Sequence, residues 1–301
     1  MMVLQTESLT RLILKKFKMM LEHEIPQGTK LYFGKTAKIK REIEAIASDV
    51  LYKADYEELI TPLFSYHQHL SIADENQLIR VNDTQNHQLT LRADSTIDVV
   101  RLLDKRLGRN TSHQKWFYIQ PIYMYPSKEV YQIGAEYIGE KDLSKTLQSA
   151  VDIVNALNIK PLLQLSNIRI PELISKELEI DIDDFKHINI QKLLDRKVSW
   201  LKDIIYLEKL EDIDAVIKVV PDVIKGELLR IKELAESIEY DNFVIAPLYY
   251  AKMLYYDELY FRMIEKNDVF ARGGRYINDE VTSVGFALYT DKIIEKLEGN
   301  K

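Results

Sequence analysis

Gln132, Gly134 and Glu136 stand two residues apart in the run Tyr131-Gln132-Ile133-Gly134-Ala135-Glu136-Tyr137. On a β-strand that spacing puts an amide, a bare glycine and a carboxylate on one face, with Tyr131, Ile133, Ala135 and Tyr137 on the other. Such a face suits a small polar ligand lying against the sheet. The glycine admits it closely, and the two polar groups hydrogen-bond to it. An edge strand with a solvated polar face has the same pattern. A second polar set, Leu91-Arg92-Ala93-Asp94-Ser95-Thr96, lies upstream, and a third, Ala271-Arg272-Gly273-Gly274-Arg275-Tyr276, reads as a loop far downstream.

Other chemistries fail on spacing. Gly28 and Gly34 resemble a phosphate-cradling loop, but five residues separate them where that loop needs four, and no strand precedes them. His67 and His69 would share a strand face, yet no third ligand stands at useful spacing, so no metal site is expected. The absence of cysteine excludes disulfides and thiolate chemistry and fits a reducing compartment.

The polar sets need a scaffold, and the surrounding pattern supplies one. Trp116–Tyr125 and Tyr131–Gly139 read as paired strands joined by a turn at Tyr125-Pro126-Ser127-Lys128-Glu129. Ile39, Ile43, Ile46 and Val50 form the buried stripe of a helix over Ala37–Leu51. A short strand ends at Pro62, and Ile79–Val81 with Gln88–Leu91 reads as a hairpin. A helix over Thr96–Leu107 follows, capped by Asp94 or Ser95. Helix Asp142–Leu157 and strand Lys160–Leu165 come next. From Pro171 to about Asp241 leucine, isoleucine, lysine and glutamate dominate and glycine is nearly absent, which predicts a helical insertion. Strands resume at Phe243–Tyr250, Glu258–Ile264 and Ser283–Leu288, before a last helix over Asp291–Glu298. An amphipathic helix carrying Leu9, Leu12, Ile13, Phe17 and Leu21 opens the chain.

The chain has 301 residues, 46% hydrophobic and 29% charged, as expected of a globular protein with an ample core. No apolar run is long enough for a membrane span, and no signal-peptide pattern opens the chain. A cytoplasmic protein with no membrane partner is expected. The net charge of −6 argues against a large nucleic-acid footprint, which needs a basic stripe.

The Leu-Arg-x-Asp-x-Thr segment, the paired strands with Gln-x-Gly-x-Glu, and Gly273-Gly274-Arg275-Tyr276 followed by Val284-Gly285-Phe286-Ala287 resemble the core of class II aminoacyl-tRNA synthetases, specifically the histidyl branch. That resemblance implies an α+β fold: an antiparallel sheet flanked by helices, discontinuous over residues 1–166 and 242–301, with a helical insertion over 167–241. It also implies a homodimer, with Pro62 at the interface. In the synthetases an anticodon-binding domain follows the last helix; here no anticodon-binding domain is expected, and tRNA is not an expected partner. By the same resemblance a histidine-like pocket would be lined by Asp94, Thr96, Gln132, Gly134, Glu136, Tyr255, Tyr256, Gly273, Gly274 and Arg275.

Amino-acid activation brings a carboxylate to an α-phosphate, so the site must supply positive charge. The family's arginines fall here on Met124, Ala251 and Lys292, the following glutamate falls on Pro126, and the basic loop shrinks to Ser127-Lys128-Glu129-Val130. A thioether or methyl cannot replace a guanidinium fork. Each lost charge costs about 3 kcal/mol of barrier, so no aminoacylation, no catalytic residue and no cofactor are expected. A synthetase-like core of this kind resembles the regulatory subunits of ATP phosphoribosyltransferase. The resemblance implies a non-catalytic subunit in a hetero-octamer with the short-form catalytic subunit, activating it and contributing to histidine feedback in histidine biosynthesis. A residual amino-acid ligase, or a scaffold that does not sense histidine, remains an alternative; the alanine at position 251 favours the scaffold.

Overall fold

The structure, a computed structural model, describes residues 24–70, 72, 74–250, 256–278 and 281–299. The expected opening helix lies outside them.

Helix α1 (Gly34–Lys53) forms where Ile39, Ile43, Ala47 and Leu51 recur every four residues, and that stripe is buried against Phe117, Ile133 and Ala135. Each such aliphatic side chain contributes about 1.5–3 kcal/mol on burial. Strands β1 (Glu57–Glu58), β2 (Phe64–Ser65), β3 (Arg80–Asn82) and β4 (Gln88–Leu91) follow, and the last three form a small antiparallel sheet in the order β2-β4-β3. Helix α2 (Ser95–Leu102) continues into a wider turn over Leu103–Leu107. Its cap is Asp94, whose Oδ1 accepts from the Ile97 N–H at 3.0 Å.

Strands β5 (Lys115–Met124) and β6 (Lys128–Ile138) make a long hairpin, followed by α3 (Ser144–Ala156) and β7 (Leu162–Asn167). The expected helical stretch comprises α4 (Arg169–Leu178), α5 (Ile182–Lys186), α6 (Ile190–Leu194), α7 (Ser199–Ile205), α8 (Ile213–Val219) and α9 (Asp222–Ser237). Its apolar residues, Ile170, Ile224 and Leu228 among them, share one core with Leu163 and Phe261 of the sheet. The chain closes with β8 (Phe243–Ile245), β9 (Tyr256–Glu265), β10 (Asp268–Asn278), β11 (Val281–Tyr289) and α10 (Thr290–Gly299). Among the described residues no helix is long and apolar enough to cross a membrane.

The main sheet has the order β1-β5-β6-β11-β10-β9-β7-β8. Its centre is antiparallel, but both edge pairs, β1–β5 and β7–β8, are parallel. A parallel neighbour needs a long crossover, and here the crossovers are the small sheet with α2 and the helical stretch. The expected antiparallel sheet flanked by helices is present, with a parallel pair at each margin.

Gly273–Tyr276 is not a loop but the interior of β10. Its paired glycines serve close packing rather than a turn. A Cβ on Gly273 would lie 2.6 Å from the Gly285 carbonyl oxygen, and one on Gly274 would lie 2.7 Å from the Tyr256 ring. Strand parity then sorts the sheet into two faces. Ile133, Ala135, Phe286, Leu288, Ala271 and Met263 point into the core under the helices. Gln132, Gly134, Glu136, Gly285, Ala287, Arg272, Gly274 and Tyr276 belong to the other face.

Candidate functional site

Glu136 is the centre of that second face. It is 1% exposed, and its two oxygens are claimed separately. Thr96, in the first turn of α2, donates from Oγ1 to Oε1 at 2.7 Å, and the Tyr276 hydroxyl on β10 donates to Oε2 at 2.8 Å. Burial pushes the carboxyl up to about 8, against the hydrogen bonds from Thr96 and Tyr276. Gly285 on β11 makes this placement possible, because a Cβ there would lie 1.8 Å from Oε2.

A cavity of about 30 Å³ adjoins the carboxylate. Asp94, Thr96, Gln132, Glu136 and Tyr256, all expected in the pocket, line it. Gln132 stands at the wall without a side-chain hydrogen bond to another described residue, whereas Asp94 is committed to capping α2. The shell behind them is ordered by amides. Gln68 accepts from the N–H groups of Ala93 and Asp94 at 2.8 and 2.6 Å and donates to the Asp94 carbonyl at 2.9 Å. Gln120 donates to Ser95 Oγ and Thr61 Oγ1 at 3.1 and 3.0 Å. Arg92 is spent on the backbone, donating to the carbonyls of Pro121, Thr61 and Pro62.

Other expected residues have different places. Gly134 is not part of the cavity lining: its missing side chain seats the ring of Tyr118, whose Cζ would be 2.2 Å from a Cβ there. Gly273 packs on Phe261 on the core side, and Gly274 seats Tyr256. Arg275 points away from the cavity. Strand parity puts it opposite Gly274 and Tyr276, where it pairs with Asp257 and Glu258, each at 2.7 Å. The pocket therefore does not lie between β6 and a loop; β11 runs between β6 and β10, and the floor spans all three strands. Tyr255 and Ala251 lie outside the described residues.

The cavity is also lined by Tyr276, the last residue of the Gly-Gly-Arg-Tyr motif, and by Tyr118, Arg272 and Tyr289, which are not among the expected pocket residues. The signal for them was parity. Once Gly273–Tyr276 is a strand, the residues sharing a face with Gly274 are Arg272 and Tyr276, not Arg275. Tyr118 likewise stands opposite Gly134 in the β5–β6 register, and Tyr289 opposite Gln132 in β11–β6.

The end of the sheet where phosphate chemistry would occur is built differently. Met124 pairs with Lys128 at the tip of the β5–β6 hairpin, beside Pro126 and Ser127. The lead-in segment docks on this tip: Ser127 Oγ donates to the Gln27 carbonyl, and the Glu129 N–H donates to the Gly28 carbonyl at 3.0 Å. Gly28 has φ +95°, and its α-carbon faces Ser127 too closely for a side chain to fit freely. Lys292 is held by Asp268 at 2.8 Å and Glu295 at 2.9 Å, and Lys30 reaches Glu295 at 2.6 Å. Lys30 and Lys292 are thus both paired with protein carboxylates. His69 lies in a single helical turn over Gln68–Leu70 and His67 immediately precedes it, and among the described residues no three His, Asp or Glu side chains converge as a metal site would require.

The family model described as Histidyl-tRNA synthetase matches residues 32–293. An ATP phosphoribosyltransferase regulatory subunit of Wolinella succinogenes is 46% identical over 277 residues, covering 92% of this chain and 96% of that protein. The protein of the same name from Helicobacter hepaticus is 41% identical over 279 residues, covering 93% and 99%. Among solved structures, an ATP phosphoribosyltransferase regulatory subunit/histidyl-tRNA synthetase from Bacillus halodurans superposes with a TM-score of 0.75 at 19% identity, covering 92% of this chain and 83% of that one. The histidyl-tRNA synthetase of Nostoc gives 0.76 at 13% identity, covering 93% and 76%. At those identities the two structures establish the fold alone.

Proposed function

Because this chain belongs to the family of ATP phosphoribosyltransferase regulatory subunits, built on the histidyl-tRNA synthetase framework, we propose that it is a cytoplasmic, non-catalytic activator of a short catalytic subunit and a sensor of histidine in histidine biosynthesis. The observation that carries this reading is the asymmetry of the site. Glu136, Thr96 and Tyr276 keep a buried, hydrogen-bonded floor suited to an imidazole or ammonium group, while the positions that would carry arginine toward a phosphate hold Met124 and an ion-paired Lys292. Recognition is supported and adenylation is not.

The cavity, at about 30 Å³, has room for water-sized bodies, so histidine would enter only by displacing lining rings such as Tyr256 or Tyr289. That displacement gives a physical route from occupancy to subunit arrangement: histidine would favour whichever arrangement tolerates the displaced rings. Ile60, Phe64 and Tyr66, exposed around Pro62, supply an apolar patch that a homodimer would cover. The test is to combine the chain with the short catalytic subunit of its own organism and follow turnover of ATP and phosphoribosyl pyrophosphate while histidine is titrated. Activation that histidine reverses is the expected result. A failure to form any complex would sink the assignment.

A further inference from the structure

Arg272 is the unexplained charge of the cavity. It stands on β10 directly opposite Arg262 on β9, and two like charges in register across neighbouring strands repel. Arg262 is braced: its Nε donates to Gln164 Oε1, and its guanidinium lies 3.8 Å from the centre of the Tyr249 ring. Arg272 is braced less fully, by the Tyr289 hydroxyl. Its Nε is buried without a hydrogen-bond partner, and its electrostatic neighbours are the phenols of Tyr289, Tyr260, Tyr249 and Tyr256. Among the described residues no carboxylate forms an ion pair with either arginine. Two adjacent guanidinium groups without a counter-anion, one of them with a buried donor unused, describe a place for an anion.

The rest of the cavity decides which anion. Glu136 lines the same space, and a ligand with a basic end would take up its proton and pair with the carboxylate so formed, whereas a polyanion would gain nothing from it. Gln132, on the same wall, is an amide with donors to spare. We propose that Arg272, assisted by Gln132, is the carboxylate anchor of this pocket, receiving the acid group of an amino acid whose basic end faces Glu136. The inference rests on the histidine-sensing reading above and adds the residue that takes over from the arginine missing at Ala251. It assigns to Arg272 what the sequence comparison had given to no residue.

The test uses L-histidine and histamine, which differ by the carboxylate, titrated calorimetrically into the full-length chain. The wild type should prefer L-histidine by about thirtyfold or more, the size expected when one partner of a buried charge pair is removed. Arg272→Met should bring that ratio to within a few-fold by weakening L-histidine while leaving histamine binding in place. Arg272→Lys, which keeps the charge but loses the fork, should fall between. Equal binding of the two ligands by the wild type, or a preference that persists in Arg272→Met, overturns the anchor. Should Arg272→Met fail to fold, the wild-type ratio and Arg272→Lys decide the matter. If the wild type binds neither ligand, the histidine-sensing reading falls as well, which separates the two failures.

Discussion

Strand β6 passes through two environments, and they are built on opposite principles. Around Lys128–Tyr131 it borders the hairpin tip, where Tyr125 is 64% exposed and cations pair with carboxylates near the surface. From Gln132 to Glu136 it floors a closed cavity, where each polar contact is fixed by a neighbouring strand or helix. Exposed ion pairs contribute about 0–1 kcal/mol, whereas breaking a buried polar arrangement by removing one partner costs several. Charges at the hairpin end can therefore be exchanged at little cost to stability. The cavity cannot be dismantled so cheaply, because its polar groups are also what hold the interior together.

The largest test of this contrast is Gly285→Ala. The new methyl would fall 1.8 Å from Glu136 Oε2 and 2.9 Å from the Ala135 carbonyl oxygen, and the carboxylate cannot retreat because Thr96 and Tyr276 hold both of its oxygens. Overpacking of this kind costs about 3 kcal/mol or more when nothing can yield, so denaturant unfolding should show a large loss together with loss of ligand binding. The same methyl at Gly226 in α9, where nothing lies within 4 Å, should stabilise by about 0.5–1 kcal/mol. Equal effects at the two glycines would remove the case for a rigid pocket.

A smaller effect follows from the carboxyl of Glu136, pushed by burial from its ordinary 4.5 to about 8. Below the ordinary value both folded and unfolded chains hold the proton. Between the two values the folded chain keeps a proton that the unfolded chain has released, so stability falls as pH rises, and above about 8 the decline stops. Glu136→Gln cannot titrate. It should flatten the stability profile between pH 4.5 and 8 and exceed the wild type by about 1–3 kcal/mol near neutrality. Parallel profiles for the two proteins would show that Glu136 is ionised throughout and that the cavity is wetter than its burial implies.

Much of this arrangement could be read in the chain, and the misreadings share one cause. Gln132 and Glu136 were legible because their strand is flanked by aromatic and β-branched residues that reveal its period. The paired glycines at Gly273 and Gly274 suggested a loop, since glycine most often serves turns. Their real role, making room for Phe261 and the ring of Tyr256, depends on strands distant in sequence and has no local signature. Parity was therefore lost over β10, and Arg275 was chosen where Arg272 and Tyr276 face the cavity. The close approach that Gly134 permits is likewise to a distant strand, since the group over it is Tyr118. The parallel edges of the sheet escaped too, because pairing across a long crossover leaves no mark on either strand.

The smallest expected effect belongs to the other half of the comparison. Lys292→Ala removes contacts to Asp268 and Glu295, but the three side chains are 37%, 50% and 47% exposed. Water screens such pairs, and ordering three mobile side chains offsets much of what attraction remains. Glu295 would keep its contact with Lys30. Unfolding free energy should therefore change by less than about 1 kcal/mol, and titration with L-histidine should be unaltered. A loss approaching that of Gly285→Ala would mean that the hairpin end is as tightly built as the pocket. Lys292 would then have a structural role of its own, beyond that of a surface ion pair.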